Sequence, residues 1–416
     1  MTIFERPTRR GVLKGAGVLG LTGLTGLVGA NLSTSLAYAA GYTGDVLVVL
    51  SMRGGQDSLS VVPPVGDPNY ATLRPNIGIP SSLALPLGGV FGLHPGLAAI
   101  KPLYDGGKLA VVHALSQPNP TRSHFEAQAE LEKAAPGSNL RTGWLDRVLG
   151  VRGSGTSFQA VQMGSNLLPD SLMGPAPSLA MTGVDDFGLW VWDGYKTPFV
   201  TALNTMYAGT GAAVANQVTA TLGALSTTAA MKTAGYTPAN GATYPTSPLG
   251  DALQDIARLI KGNAGLQIAT IDYGNWDMHV DLGRPGDTTG WMHKQLLDVG
   301  ACLAAFAQDL GSGLNNVTLV TLTEFGRRAA ENGSGGADHG HGQASLVLGG
   351  GVKGGSVYGT WPGLASAALD QGDLAGANDY RNLLGEILVK RCGIGSLSTV
   401  FPGLSYAPMG VVNARP

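Results

Sequence analysis

Asp45-Val46-Leu47-Val48-Val49-Leu50-Ser51 holds an unbroken apolar run with no polar position inside it. A strand with one face in water alternates apolar and polar residues; a continuous run is the mark of a strand covered on both faces. The pattern returns in Lys108–His113, Gln267–Asp272, Val317–Thr323 and Ser345–Leu348. Helical spacing of apolar residues fills the intervals, over Leu97–Tyr104, Ser123–Lys133, Pro198–Met206, Pro248–Ile260 and Met292–Leu310. Strands alternating with helices predict an α/β chain, a three-layer sandwich with a largely parallel central sheet and helices on both faces. The Ala/Thr/Gly-rich stretch from Gly209 to Thr246 departs from this pattern. It reads as part of a helical and loop insertion near residues 197–246, a cap or lid and not a separate domain.

Residues 1–40 read as an export segment and not as part of the fold. Thr8-Arg9-Arg10-Gly11-Val12-Leu13-Lys14 carries paired arginines, a short Gly/Leu-rich run follows, and Ala37-Tyr38-Ala39 supplies a small-x-small cleavage pattern. A twin-arginine signal implies passage through the twin-arginine translocase and a periplasmic or extracellular mature chain, residues 41–416, read as a single domain. Removing Glu5, Arg6, Arg9, Arg10 and Lys14 takes the formal net charge from −2 to −5. Such a chain offers no broad cationic footprint for nucleic acid or anionic lipid. No later stretch is apolar for long enough to span a membrane. The two cysteines, Cys302 and Cys392, lie in apolar helical patterns and read equally as a bridge or as buried thiols.

In open α/β sheets ligands gather at the carboxyl ends of the strands. Arg53-Gly54-Gly55-Gln56-Asp57 follows the first run and Asp272–Asp281 the third. Glu324-Phe325-Gly326-Arg327 follows the fourth, and Asp338-His339-Gly340-His341 precedes the fifth. Three of the seven histidines, His279, His339 and His341, sit beside carboxylates in these loops. Imidazole plus carboxylate is a donor set for zinc, manganese or iron, so a divalent metal is expected. Plain readings stand beside the functional ones. Asp57 closes a turn, Glu324 pairs with a neighbouring arginine, and Ser123 in Thr121-Arg122-Ser123-His124 caps a helix. The functional reading of that last motif is a hydroxyl at a helix start, with Arg122 beside it to pair with an anion.

The segments Leu50-Ser-Met-Arg-Gly-Gly-Gln-Asp57-Ser-Leu, Arg122-Ser-His-Phe-Glu-Ala-Gln128, Trp276-Asp-Met-His279, Thr323-Glu-Phe-Gly-Arg327 and Gly336-Ala-Asp-His-Gly-His341 together resemble the DUF1501 family of twin-arginine-exported bacterial proteins. That family resembles in turn the alkaline phosphatase and sulfatase superfamily. The resemblance implies an alkaline-phosphatase-like sandwich with metal ligands on loops at strand ends. It implies Asp57, Asp277, His279, Glu324, His339 and His341 as ligands, with Asp57 and Glu324 alternatively orienting histidines. Ser123, or else Thr121, would attack, with His124 and Arg122 beside it, while Arg53 and Arg327 help neutralise a small anionic ester. The superfamily's acid-histidine pair is broken here, because Phe325 follows Glu324. Two functions follow: an exported metal-dependent hydrolase of phosphate or sulfate esters, or a non-catalytic binding or envelope-assembly protein on the same fold.

Overall fold

A computed structural model describes residues 44–416 apart from residues 154 and 208; the expected export segment, residues 1–40, lies outside the described residues. Its centre is a nine-stranded sheet. Its main strands are β1 (Val46–Met52), β2 (Leu109–Ser116), β3 (Ala160–Met163), β4 (Leu179–Met181), β5 (Ile268–Tyr273), β6 (Val317–Leu322) and β7 (Gln343–Gly349). Two short strands, β8 (Val357–Tyr358) and β9 (Asn378–Asp379), both pair with β2. The order across the sheet is β8-β2-β7-β6-β1-β5-β3-β4. All neighbours are parallel except β7, which runs against both β2 and β6. The largely parallel sheet expected from the apolar runs is therefore present, and all five predicted strands lie in it.

Alternate residues of β1 enter two separate cores. Val48, Leu50 and Met52 pack with α5 (Pro248–Lys261) and α6 (Trp291–Leu310) on one face. Leu47 and Val49 pack with α1 (His124–Lys133), α2 (Trp144–Arg152) and α7 (Tyr380–Arg391) on the other. Because each face needs cover, the whole run is apolar, and three layers result. The cysteines divide between these cores, Cys302 in one and Cys392 in the other, and both are buried thiols with no disulfide between them.

The insertion forms α3 (Asp193–Tyr207) and α4 (Ala212–Ala234), followed by a loop to Ser247. No described side chain of α3 is buried. The loop is held by Asp309, fully buried, which accepts from Tyr236 Oη at 2.6 Å, Tyr244 Oη at 2.9 Å and the Ala239 amide at 2.6 Å. These ties fasten the loop to the C-terminal turn of α6, just ahead of β6. Among the described residues no helix is long and apolar enough to cross a membrane.

Candidate metal centre

The loops after β1, β5 and β6 meet because their backbones interlock. The 326–328 segment pairs with 338–341, through Gly326 N to His341 O at 3.0 Å and Arg328 N to Asp338 O at 2.9 Å. The 278–282 segment pairs with 334–337, through Ala337 N to Met278 O at 3.2 Å and Leu282 N to Gly335 O at 3.0 Å. The β1 loop reaches them through Gly54, where φ is +120° and a Cβ would lie 2.7 Å from the Asp277 amide nitrogen. Only glycine combines that φ with that approach.

Four side chains converge where these loops meet the start of α1. The Nε2 atoms of His279 and His339 are 2.9 Å apart. They lie 3.0 Å and 3.1 Å from Asp277 Oδ1. His124 Nε2 is buried without a hydrogen bond and lies 3.4 Å from Asp277 Oδ2. His124, Asp277 and His339 offer ligand atoms all within 4.8 Å of one another.

The opposite nitrogen of each ring decides what these atoms are. His124 Nδ1 faces Glu324 Oε1 at 2.8 Å, His279 Nδ1 faces Asp338 Oδ1 at 2.8 Å, and His339 Nδ1 faces the Arg122 carbonyl at 2.8 Å. A carbonyl or carboxylate oxygen only accepts, so each Nδ1 carries its proton. A neutral ring then presents Nε2 as a bare lone pair. Three lone pairs and a carboxylate thus point at one another. An Nδ1 donating to an acceptor while Nε2 faces the site is how metal-ligating histidines are held. The residues therefore fit a divalent cation.

Charge follows the same logic. Burial pushes the Asp277 carboxyl up, but the hydrogen bond and the charge of Arg327 overcome it and hold the pKa at about 2. Burial lowers the His339 pKa, and the nearby Arg327 charge adds to that against the hydrogen bond from Nδ1 to Arg122 O and the neighbouring Asp277 carboxylate. The hydrogen bonds from His279 and Asn332 keep the Asp338 pKa low.

Of the expected ligands, Asp277, His279 and His339 are brought together, and His124, expected beside the nucleophile, joins them. Asp57 does not. Arg74 takes both its oxygens, Nη1 to Oδ2 at 2.5 Å and Nη2 to Oδ1 at 2.9 Å, and Ser60 Oγ adds a bond of 2.5 Å. Glu324 is not in that group of ligand atoms: its Oε1 accepts from Gly54 N and His124 Nδ1, and its Oε2 lies 3.1 Å from Thr323 Oγ1, whose proton goes to Met52 O at 2.8 Å. It orients His124 instead. His341 faces a separate acidic loop, with Nδ1 2.8 Å from Asp370 Oδ2 and 3.6 Å from Asp373 Oδ2. Phe325 packs its ring 4.8 Å from that of His124 and 4.7 Å from that of His339.

The arginines expected to meet substrate are all paired internally. Arg53 grips Asp272 and Glu132, and Arg122 grips Asp373. Arg327 is buried beneath the cluster. Ser123 is the N-cap of α1, but its bond from Glu126 N is long, 3.5 Å. Thr121 Oγ1 is better engaged, donating to Glu126 Oε2 at 2.9 Å and accepting from Ser123 N at 3.2 Å. Asp338 escaped assignment although it adjoins His339. Arg74, Asn332 and Asp373 carried no local signal, since their roles depend on partners far along the chain.

Residues 202–388 match the model of a family described as "Protein of unknown function (DUF1501)". That span, somewhat under half the chain, carries Asp277, His279 and His339, and its family is the one the motifs resemble. No curated protein matches the chain in sequence. Among solved structures it is similar to the C-terminal periplasmic domain of EcEptC from Escherichia coli in complex with Zn, at 10% identity over 74% of this chain and 73% of that one, TM-score 0.31. It is similar to the lipoteichoic acid synthase LtaP from Listeria monocytogenes, at 10% identity, 88% and 80% coverage and TM-score 0.32. The PsFucS1 sulfatase from Pseudoalteromonas sp. gives 12% identity, 89% and 74% coverage and TM-score 0.35. Likenesses this loose carry no argument about chemistry.

Proposed function

We propose that the chain is an exported metal-dependent hydrolase of phosphate or sulfate esters whose centre is His124, Asp277, His279 and His339. One observation carries the metal: ligand atoms of His124, Asp277 and His339 lie within 4.8 Å of one another, with His279 Nε2 beside His339 and Asp277 and the opposite nitrogen of every ring anchored on an acceptor. The ester class rests on the motif resemblance, and export on the twin-arginine pattern. A bound divalent cation would polarise an ester oxygen and lower the pKa of water. Glu324, Asp338 and the Arg122 carbonyl hold the three rings in place. The weakly engaged hydroxyl of Ser123, next to His124, is the better candidate for attack than that of Thr121. Phe125 and Val280, 90% and 53% exposed, directly follow two of the ligands and offer an apolar rim to an ester's organic group.

A second reading, a non-catalytic binding or envelope-assembly protein on the same fold, is favoured by the arginines. Arg53, Arg122 and Arg327 all serve internal acceptors, which leaves these three without a free fork for an anionic substrate. Elemental analysis of the purified chain, beside a panel of chromogenic aryl phosphate, phosphodiester and sulfate esters, separates the readings. Stoichiometric metal with turnover of one ester class supports the hydrolase. Metal without turnover, or no metal in wild type, selects the binding protein. Export is checked by fractionating cells that carry Arg9→Lys with Arg10→Lys; normal export of that precursor overturns it.

A further inference from the structure

Arg327 was expected to meet substrate, yet its side chain is 1% exposed and lies under the candidate ligands. Its five N–H groups face six acceptors from three loops. Nε donates to Gly55 O at 2.5 Å, and Nη2 donates to Gly54 O, to Trp276 O at 3.1 Å and to Asp277 Oδ1 at 2.7 Å. Nη1 donates to Ala337 O at 3.1 Å and faces the His279 Nε2 lone pair at 3.3 Å. A planar fork with fixed donor directions can hold three backbones in one register; a lysine ammonium cannot. Without a cation, the lone pairs and the Asp277 carboxylate would repel one another, and the guanidinium is the positive charge set among them. It occupies Asp277 Oδ1 and leaves Oδ2 directed at His124.

We infer that Arg327 is a positioning residue that pre-assembles the metal centre: it stands in for the cation's charge, locks the loops that follow β1 and β5 and the loop before β7 into the ligand-bearing geometry, and limits Asp277 to one donor oxygen. The inference rests on the metal reading above and deepens it. The ion then enters a site that is already built, so binding moves little of the backbone.

The experiment uses the full chain, stripped by chelation and titrated with zinc against a competing chelator, with amide hydrogen exchange followed in both states. In metal-free wild type, residues 53–57, 274–281 and 337–341 should already be protected, and zinc should add little. Arg327→Lys should bind zinc 10–100-fold more weakly, the range for residues that orient ligands, and its three loops should gain protection only with zinc. Cobalt(II) in place of zinc should show a changed visible spectrum in the variant, because Asp277 regains its second oxygen. A purely structural arginine would lower thermal stability and leave affinity and spectrum alone. Wild-type affinity in a folded Arg327→Lys, or loops unprotected until zinc arrives, overturns the inference. If the variant does not fold, the exchange comparison on wild type decides alone. Wild type that binds no zinc but keeps protected loops removes the metal reading and leaves the assembly of the loops by Arg327 standing.

Discussion

Two aspartate–arginine pairs at the carboxyl ends of the strands have opposite outcomes. Asp57 and Arg74 are both buried, the fork takes both carboxylate oxygens, and Ser60 completes the shell. Asp277 gives Arg327 one oxygen, is 47% exposed, and turns the other toward His124. The residue types are the same; the count of lone pairs left over differs. A carboxylate with both oxygens matched is part of the framework, and one with an oxygen open among histidines can hold an ion. Histidines divide the same way. His113 is closed, with Nε2 donating to Val62 O at 3.2 Å and Nδ1 accepting from the Ala114 amide at 2.8 Å. The three rings of the centre keep a lone pair each.

The largest effect should come from breaking the closed pair. Arg74→Met leaves the Asp57 carboxylate buried and unpaired, which costs about 3–5 kcal/mol. Denaturant unfolding measures that loss, and the folded fraction should keep wild-type zinc content. Loss of zinc from folded Arg74→Met would put Asp57 back into the centre.

Acid sharpens the division between histidines. Burial pushes the His113 pKa down to about 4, below its value near 6.5 in an unfolded chain. Its contribution is therefore full above about pH 6.5 and is lost as the pH falls toward 4, because the unfolded chain takes up a proton that the folded one refuses. The span corresponds to roughly 3 kcal/mol. Unfolding free energies of metal-free protein between pH 7 and 4 should fall less steeply in His113→Gln than in wild type. Parallel curves would mean that the ring is not held neutral.

A smaller effect is expected one residue out from the open site. Glu324→Gln keeps the shape but weakens the acceptor behind His124, and zinc affinity should drop about 10–100-fold. Competitive titration reads this directly. His341→Ala serves as its control, since that ring faces Asp370, and should bind zinc as wild type does.

The smallest effect belongs to Ser123→Ala. A helix cap is worth about 1 kcal/mol, and this one, at 3.5 Å, sits at the weak end. Thermal unfolding should shift slightly and zinc binding should not change. With an active ester in hand, undiminished turnover would show that the hydroxyl is a cap and no nucleophile.

The sequence by itself determined the layers. Five apolar runs with helical stretches between them have one stable solution, a sheet covered on both faces, because each run carries no polar side to offer water. It also carried the loops that matter: Asp277 and His279 follow β5 at its carboxyl end, while His339, ahead of β7, reaches the same end because β7 runs antiparallel to its neighbours. Among the elements it left out were β3 and β4, too short for a periodic signal, α2, and α7, whose packing residues follow no clear stripe. Only the tertiary structure decided which polar residues form the centre. Asp57 and Asp277 each follow a strand and look alike in one dimension. Arg74 lies 17 residues from Asp57 and Arg327 lies 50 from Asp277, and nothing local tells which guanidinium will close a carboxylate and which will leave it open. His124 joins the cluster because Glu324, 200 residues away, holds its ring. Hydrogen-bond direction depends on partners that only the folded chain supplies, so the donor set could be listed from the sequence but not sorted.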